Sequence, residues 1–199
     1  MIKKIDIIFA LLAGAGVAYL TFDLLKSQGI KVGFLTPVLF VFLPILSLIG
    51  LWVSWFLGKK FLWIFQAAKF FLVGVLATLF DLMILNILML ISGIASGLFY
   101  SLAKGVSFLA ATIAKYFAVK FWTFEKSEMT SVGTEFGKFF IVSAGGLIIN
   151  VAVASFIVNT IGPQFGIEKR VWANIGAISA AFVAFLWNFL GSKFIVFKK

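Results

Sequence analysis

Lys69-Phe-Phe-Leu-Val-Gly74 opens a stretch that closes on Lys120-Phe-Trp-Thr-Phe124, and the chain then repeats the pattern. The second copy opens with Lys138-Phe-Phe-Ile-Val-Ser143 and closes with Lys193-Phe-Ile-Val-Phe197. Each copy holds two apolar runs and one polar residue at the same distance from its opening lysine, Asp81 in the first and Asn150 in the second. A duplicated pair of membrane helices is a common way to build a carrier, with the cargo handled where the copies meet. The repeats, at about 63–124 and 137–197, therefore decide the expected fold.

Outward from them the chain stays apolar. Hydrophobic residues make up 63% and charged residues 12%, and the mean hydropathy is +1.16. Soluble domains carry about 25% charged residues, so this composition suits a bilayer. Six runs are long enough to cross one, near 5–25, 33–57, 63–91, 103–122, 137–160 and 172–194. The expected fold class is an all-α membrane protein with six transmembrane helices. Its last four form a tandem two-helix repeat with a pseudo-two-fold along the membrane normal. Two domains follow: an N-terminal transmembrane hairpin (1–58) and a four-helix transmembrane domain (61–199).

The first run is preceded by Lys3 and Lys4 and contains Ala-Gly-Ala-Gly-Val-Ala at 13–18, which resembles a signal peptide. A second long run follows, so a retained helix is expected, with Gly14, Gly16 and Ala18 as a close-packing surface. Pro37 and Pro44 predict a kink in the second.

The net charge of +10 would suggest nucleic acid on a soluble chain. Here the lysines sit at helix ends, so no nucleic-acid partner is expected. With the N-terminus inside, the cytoplasmic segments hold Lys3, Lys4, Lys59, Lys60, Lys69, Lys120, Lys126, Lys138, Lys193, Lys198 and Lys199. The opposite segments hold only Lys26, Lys31, Lys104, Lys169 and Arg170. Both termini are expected to be cytoplasmic, in a multi-pass protein of the cytoplasmic (inner) membrane. The polar connector 125–136, with Glu125, Lys126, Glu128 and Glu135, lies on the same side.

Chemistry is scarce. The chain has no cysteine and no histidine, which removes thiol and imidazole catalysis and zinc sites. It has no P-loop, no Asp-x-Asp and no visible nucleophile–base pair, so neither an enzyme nor a cofactor or metal dependence is expected. Asp81 is the one acid expected deep in the membrane, where a carboxylate costs about 2.5–3.5 kcal/mol uncompensated. It stands twelve residues beyond Lys69, roughly 18 Å along a helix. Lys115 is its expected partner, from the next span. Asn150 and Asn188 fall at the positions of Asp81 and Lys115 in the second copy. Structure and cargo binding compete as roles for this set, since asparagines also join helices. Lys69, Lys138, Lys120 and Lys193 are expected to ring the cytoplasmic end, capturing a phosphate or simply anchoring the helices. Trp122 and Phe124 read as headgroup-belt residues.

These boxes resemble those of the GtrA-like family of small membrane proteins. The resemblance rests on Lys69–Gly74 with an acid seven residues on, on Ala114-Lys115-Tyr116 followed by Lys120-Phe-Trp-Thr-Phe124, and on the echo in Asn188-Phe189 and Lys193–Phe197. It covers about 66–199, and the hairpin lies outside it. It implies translocation, or help in translocation, of a polyprenyl-phosphate-linked monosaccharide for cell-surface polysaccharide synthesis. That would make the lipid-linked sugar and membrane lipids the partners. A related four-helix unit anchors polyprenyl-phosphate sugar synthases, so a non-catalytic scaffold for a membrane glycosyltransferase is the alternative. A small proton-coupled cation exporter using Asp81 is a third reading. Four short helices enclose little room, which favours a homodimer.

Overall fold

Every run of the sequence that is long and apolar forms a helix, because a backbone in hydrocarbon must satisfy its own hydrogen bonds. The computed structural model describes residues 2–27, 32–93, 97–129, 132–167 and 169–198, and no strand occurs among them. Lys31 and Lys199 of the expected charge pattern lie outside these residues. The helices are α1 (Lys4–Ser27), α2 (Leu35–Gly58), α3 (Leu62–Ser92), α4 (Gly97–Ala118), α5 (Val132–Ser155) and α6 (Lys169–Gly191). Each falls on one of the expected runs. Five helical stretches are long and apolar enough to cross a membrane: Lys4–Asp23, Leu35–Gly58, Leu62–Ser92, Val132–Ile161 and Ser179–Val196. The helix α4 is not among them.

Among the described residues three turns of π-helix follow α4, α5 and α6, at Val119–Thr123, Phe156–Ile161 and Ser192–Val196. Two of these hold the closing boxes of the sequence pattern. Phe124 N–H donates to Val119 O at 3.0 Å and Phe197 N–H to Ser192 O at 2.8 Å, so both boxes end on a bond five residues long. Such wide turns are uncommon and concentrate at functional positions.

The chain divides into two compact units, Met1–Glu125 and Lys126–Lys199. The first therefore combines the N-terminal hairpin with the first copy of the pattern. Its helices approach through small residues, as expected from the glycines of α1. A Cβ on Gly14 would stand 2.5 Å from the Pro44 Cα of α2, and one on Gly16 would strike the Leu79 side chain of α3. Ala10 and Ala18 are completely buried on the same helix. Pro37 lies in the first turn of α2, where a missing N–H costs little, while Pro44 lies inside it. The helix is nevertheless continuous from Leu35 to Gly58. A tight corner joins α2 to α3, where a Cβ on Gly58 would come within 2.7 Å of the Phe65 Cβ.

In the second unit α5 and α6 pack through Gly146 against Asn188 and through Gly191 against Val142. The Trp187 indole N–H donates to Val142 O at 3.0 Å. Glu135, in the first turn of α5 and 4% exposed, pairs with Lys126 at 2.8 Å. Across the chain Val41, Phe56, Phe71 and Ile141 are exposed, whereas Asp6, Lys69, Lys120 and Ser107 are buried. This inversion of the soluble pattern fits a lipid solvent.

Candidate functional site

Asp81 lies eleven residues before the end of α3, which places its carboxylate inside an apolar helix. Ser107 of α4 donates to Asp81 Oδ1 at 2.6 Å. Ser107 is fully buried and Asp81 half-buried, so this charge-assisted bond is partly enclosed. Lys115, the partner expected from the sequence, stands two turns further along α4, and Ser107 is a partner the sequence reading does not name. Lys115 places its ammonium 5.5 Å from the centre of the Phe70 ring.

A second polar centre forms where α1 meets the first opening and closing boxes. Lys69 Nζ stands 3.0 Å from Asp6 Oδ1, with both side chains at 2% exposure or less. The Trp122 indole N–H donates to the same oxygen at 2.6 Å, and the Lys3 backbone N–H donates to Oδ2 at 2.7 Å. Lys3 and Asp6 are related as helix cap and third helical residue, the spacing at which an acid reaches back to the capping N–H. Lys69 also faces the Phe65 ring at 4.6 Å. At the rim, Glu125 bonds Lys3 at 2.9 Å and stands 3.5 Å from Lys69. Glu125 occupies the left-handed region, φ 51°, as the chain leaves the π turn. The hydrogen bond from Lys3, aided by the charges of Lys69 and Lys3, holds the Glu125 carboxyl below its usual range. The same bond raises the Lys3 ammonium above its ordinary value.

Asp6 lies near the start of α1 but is buried, because Lys69, Trp122 and its own helix cap enclose it. Trp122 and Phe124 are not headgroup-belt residues, for they are 7% and 5% exposed and face inward. The signal for Asp6 was present as an acid in the first turn of α1 and a lysine, Lys69, lacking any local counter-ion.

The remaining site residues fall as follows. Lys120 is fully buried, donates to the Tyr116 hydroxyl at 3.5 Å and lies 6.0 Å from the Phe121 ring centre. Lys193 lies over the rings at the same two offsets, Phe189 at 5.9 Å and Phe194 at 5.5 Å. Lys138, the counterpart of Lys69, is exposed. Asn150 is half-buried. Asn188 packs on Gly146, and its buried Oδ1 has no hydrogen-bond partner. The position matching Ser107 in the second copy is Ala180, also fully buried. Thus the first unit brings together Asp81 with Ser107, and Lys69 with Asp6. Among the described residues no group of three His, Cys, Asp or Glu side chains could hold a metal ion.

Long apolar helices that expose large hydrophobic side chains and bury charged ones define a multi-pass membrane protein. The family model for the GtrA/DPMS transmembrane domain matches residues 69–197, and the chain belongs to that family. No curated protein and no solved structure matches the chain.

Proposed function

We propose that this protein translocates, or assists the translocation of, a polyprenyl-phosphate-linked monosaccharide across the cytoplasmic membrane. Family membership supports the substrate class. The observation that carries the reading is the Asp81 carboxylate, kept inside an apolar helix pair by Ser107. A carboxylate at that depth is retained against its cost when it binds cargo hydroxyls or carries a proton. The polyprenyl tail stays in hydrocarbon, so only the sugar and phosphate need shielding from it. We also propose six spans, with both termini cytoplasmic, and a tandem repeat. The matched π turns, and the matched rings beneath Lys120 and Lys193, support the repeat. Nothing in the reading requires the chain to act as an enzyme.

The test is movement of a short-chain polyprenyl-phosphate hexose in proteoliposomes. Wild-type protein should move it, and Asp81→Asn should move it at least tenfold more slowly with folding intact. Equal rates would make Asp81 structural.

One observation favours a second reading, a scaffold for a membrane glycosyltransferase. The Asp6–Lys69–Trp122 centre closes one end of the first unit with bonds that a moving gate would have to break. Co-purification of a glycosyltransferase, with no lipid movement by the isolated protein, would establish it.

A further inference from the structure

The Asp81 site faces α4, but a different face of α3 borders an open cleft. Gly16 and Leu79 bring α1 and α3 into contact. From that contact toward the ends at Ser27 and Ser92, the two helices border a cleft of about 520 Å³. Leu79, Leu82 and Met83 wall it, and Tyr19, Asp23 and Asn86 supply its polar groups. Asn86 lies five residues beyond Asp81, about 140° round the helix at 3.6 residues per turn. The cleft is therefore distinct from the Asp81–Ser107 contact.

Its polar groups stand where polar groups are costly. Asn86 is six residues short of the end of α3 and Tyr19 eight short of the end of α1. At 1.5 Å per residue these depths are about 9 and 12 Å. Both lie within stretches apolar enough to cross a membrane. Neither they nor Asp23 makes a hydrogen bond or ion pair with a described residue. A phenol and an amide at such depth, with a carboxylate a turn nearer the helix end and no hydrogen bond from any of the three to a described residue, suit hydroxyl-bearing company. Tyr19 and Asp23 offer a donor and acceptors from α1 and Asn86 offers both from α3, beside apolar side chains of the same two helices, an arrangement that suits a ring with hydroxyl edges and a C–H face.

We propose that the α1–α3 cleft binds the polyhydroxylated head of a lipid-linked sugar, with Asp23, Asn86 and Tyr19 as its hydrogen-bonding groups. The hairpin outside the family match then supplies half of a sugar site. This rests on the translocation reading for its ligand class, and its test is a binding measurement that does not need transport.

The chain has no cysteine, so Met83→Cys installs a single thiol in the cleft wall. The full-length variant in liposomes is labelled with a membrane-impermeant maleimide from the side on which Asp23 lies. Short-chain polyprenyl-phosphate hexose should slow labelling at least fivefold, while the same prenyl phosphate without sugar should leave it unchanged. Phe34→Cys, at an exposed position away from the cleft, should label at one rate throughout. Asp23→Asn with Tyr19→Phe in the Met83→Cys background should raise the half-protecting concentration at least tenfold. Equal protection by prenyl phosphate alone would make the cleft a tail site and overturn the proposal. Protection by free hexose at the same concentration would reassign it to soluble sugar and overturn the lipid-linked claim. Absence of labelling would show a dry cleft, which also overturns it. Protection in a protein that moves no lipid would sink translocation and leave the site standing; movement without protection would do the reverse.

Discussion

Removing the carboxylate of Asp6 should damage this protein more than removing any other single acid. In Asp6→Ala, the Lys69 ammonium keeps its 2% exposure but loses the partner at 3.0 Å. The Trp122 indole and the Lys3 N–H lose their acceptor in the same step. Breaking a buried ion pair from one side costs about 3–5 kcal/mol, since a charge is left without compensation. The lower end applies here because Glu125 remains 3.5 Å from the ammonium and Trp122 O accepts from it at 3.4 Å. About 3 kcal/mol is two powers of ten in the unfolding equilibrium. Reversible unfolding in mixed micelles, followed by tryptophan fluorescence, measures it. The double variant Asp6→Leu with Lys69→Met removes both charges and should recover to within about 1 kcal/mol of wild type. The reasoning would be refuted by an Asp6→Ala loss under about 1 kcal/mol, or by a double variant as unstable as the single one.

Ser107→Ala removes the hydroxyl that donates to Asp81 and should cost about 1.5–3 kcal/mol, as for hydrogen bonds to charged groups, in the same unfolding assay. Gly16→Leu would drive a side chain into Leu79, so α1 should detach from α3, read as increased proteolysis of the hairpin. The Lys3–Glu125 bridge should set two pH limits. Glu125 is lowered from 4.5, so its contribution is present above that value and lost as pH falls through the lowered one. Lys3 is raised from 10.5, so its contribution is present below 10.5 and lost as pH rises through the raised value. Stability should therefore be flat between those limits, and Glu125→Gln should soften the acid limb, with salt weakening the effect because the bridge is exposed.

Helix positions were legible because hydrocarbon demands long apolar runs, and all six helices coincide with them. The glycines of α1 were legible for the same reason: in lipid, small residues are what lets backbones approach. Polar partners were harder to read, since they depend on pairings between distant parts of the chain. Asp6 and Trp122 are 116 residues apart, and no local pattern relates them. Ser107 carried a weaker signal. It stands eight residues before Lys115, two turns along one face of α4, so the face expected to meet Asp81 also carries the serine that bonds it. The cleft residues Tyr19, Asp23 and Asn86 could not be grouped from sequence, because their meeting depends on where Gly16 seats α1 against α3.

The two copies of the pattern have kept one skeleton and parted in chemistry. Phe139 and Phe197, like Phe70 and Phe124 before them, are buried, and each closing lysine lies over the rings four before and one after it. Against that common frame Asp81 and Ser107 become Asn150 and Ala180, and the buried Lys69 and Trp122 become the exposed Lys138 and Ile195. Every substitution removes a charge or a hydrogen bond from the second copy or turns it toward the surroundings. The first copy retains the costly groups, and it is also the copy against which the hairpin packs, in one compact unit. Burying Lys69 without α1 would leave its ammonium without its buried counter-ion, and docking α1 without Lys69 would leave the Asp6 carboxylate without its own. The hairpin and the polar copy thus depend on each other electrostatically through Asp6 and Lys69.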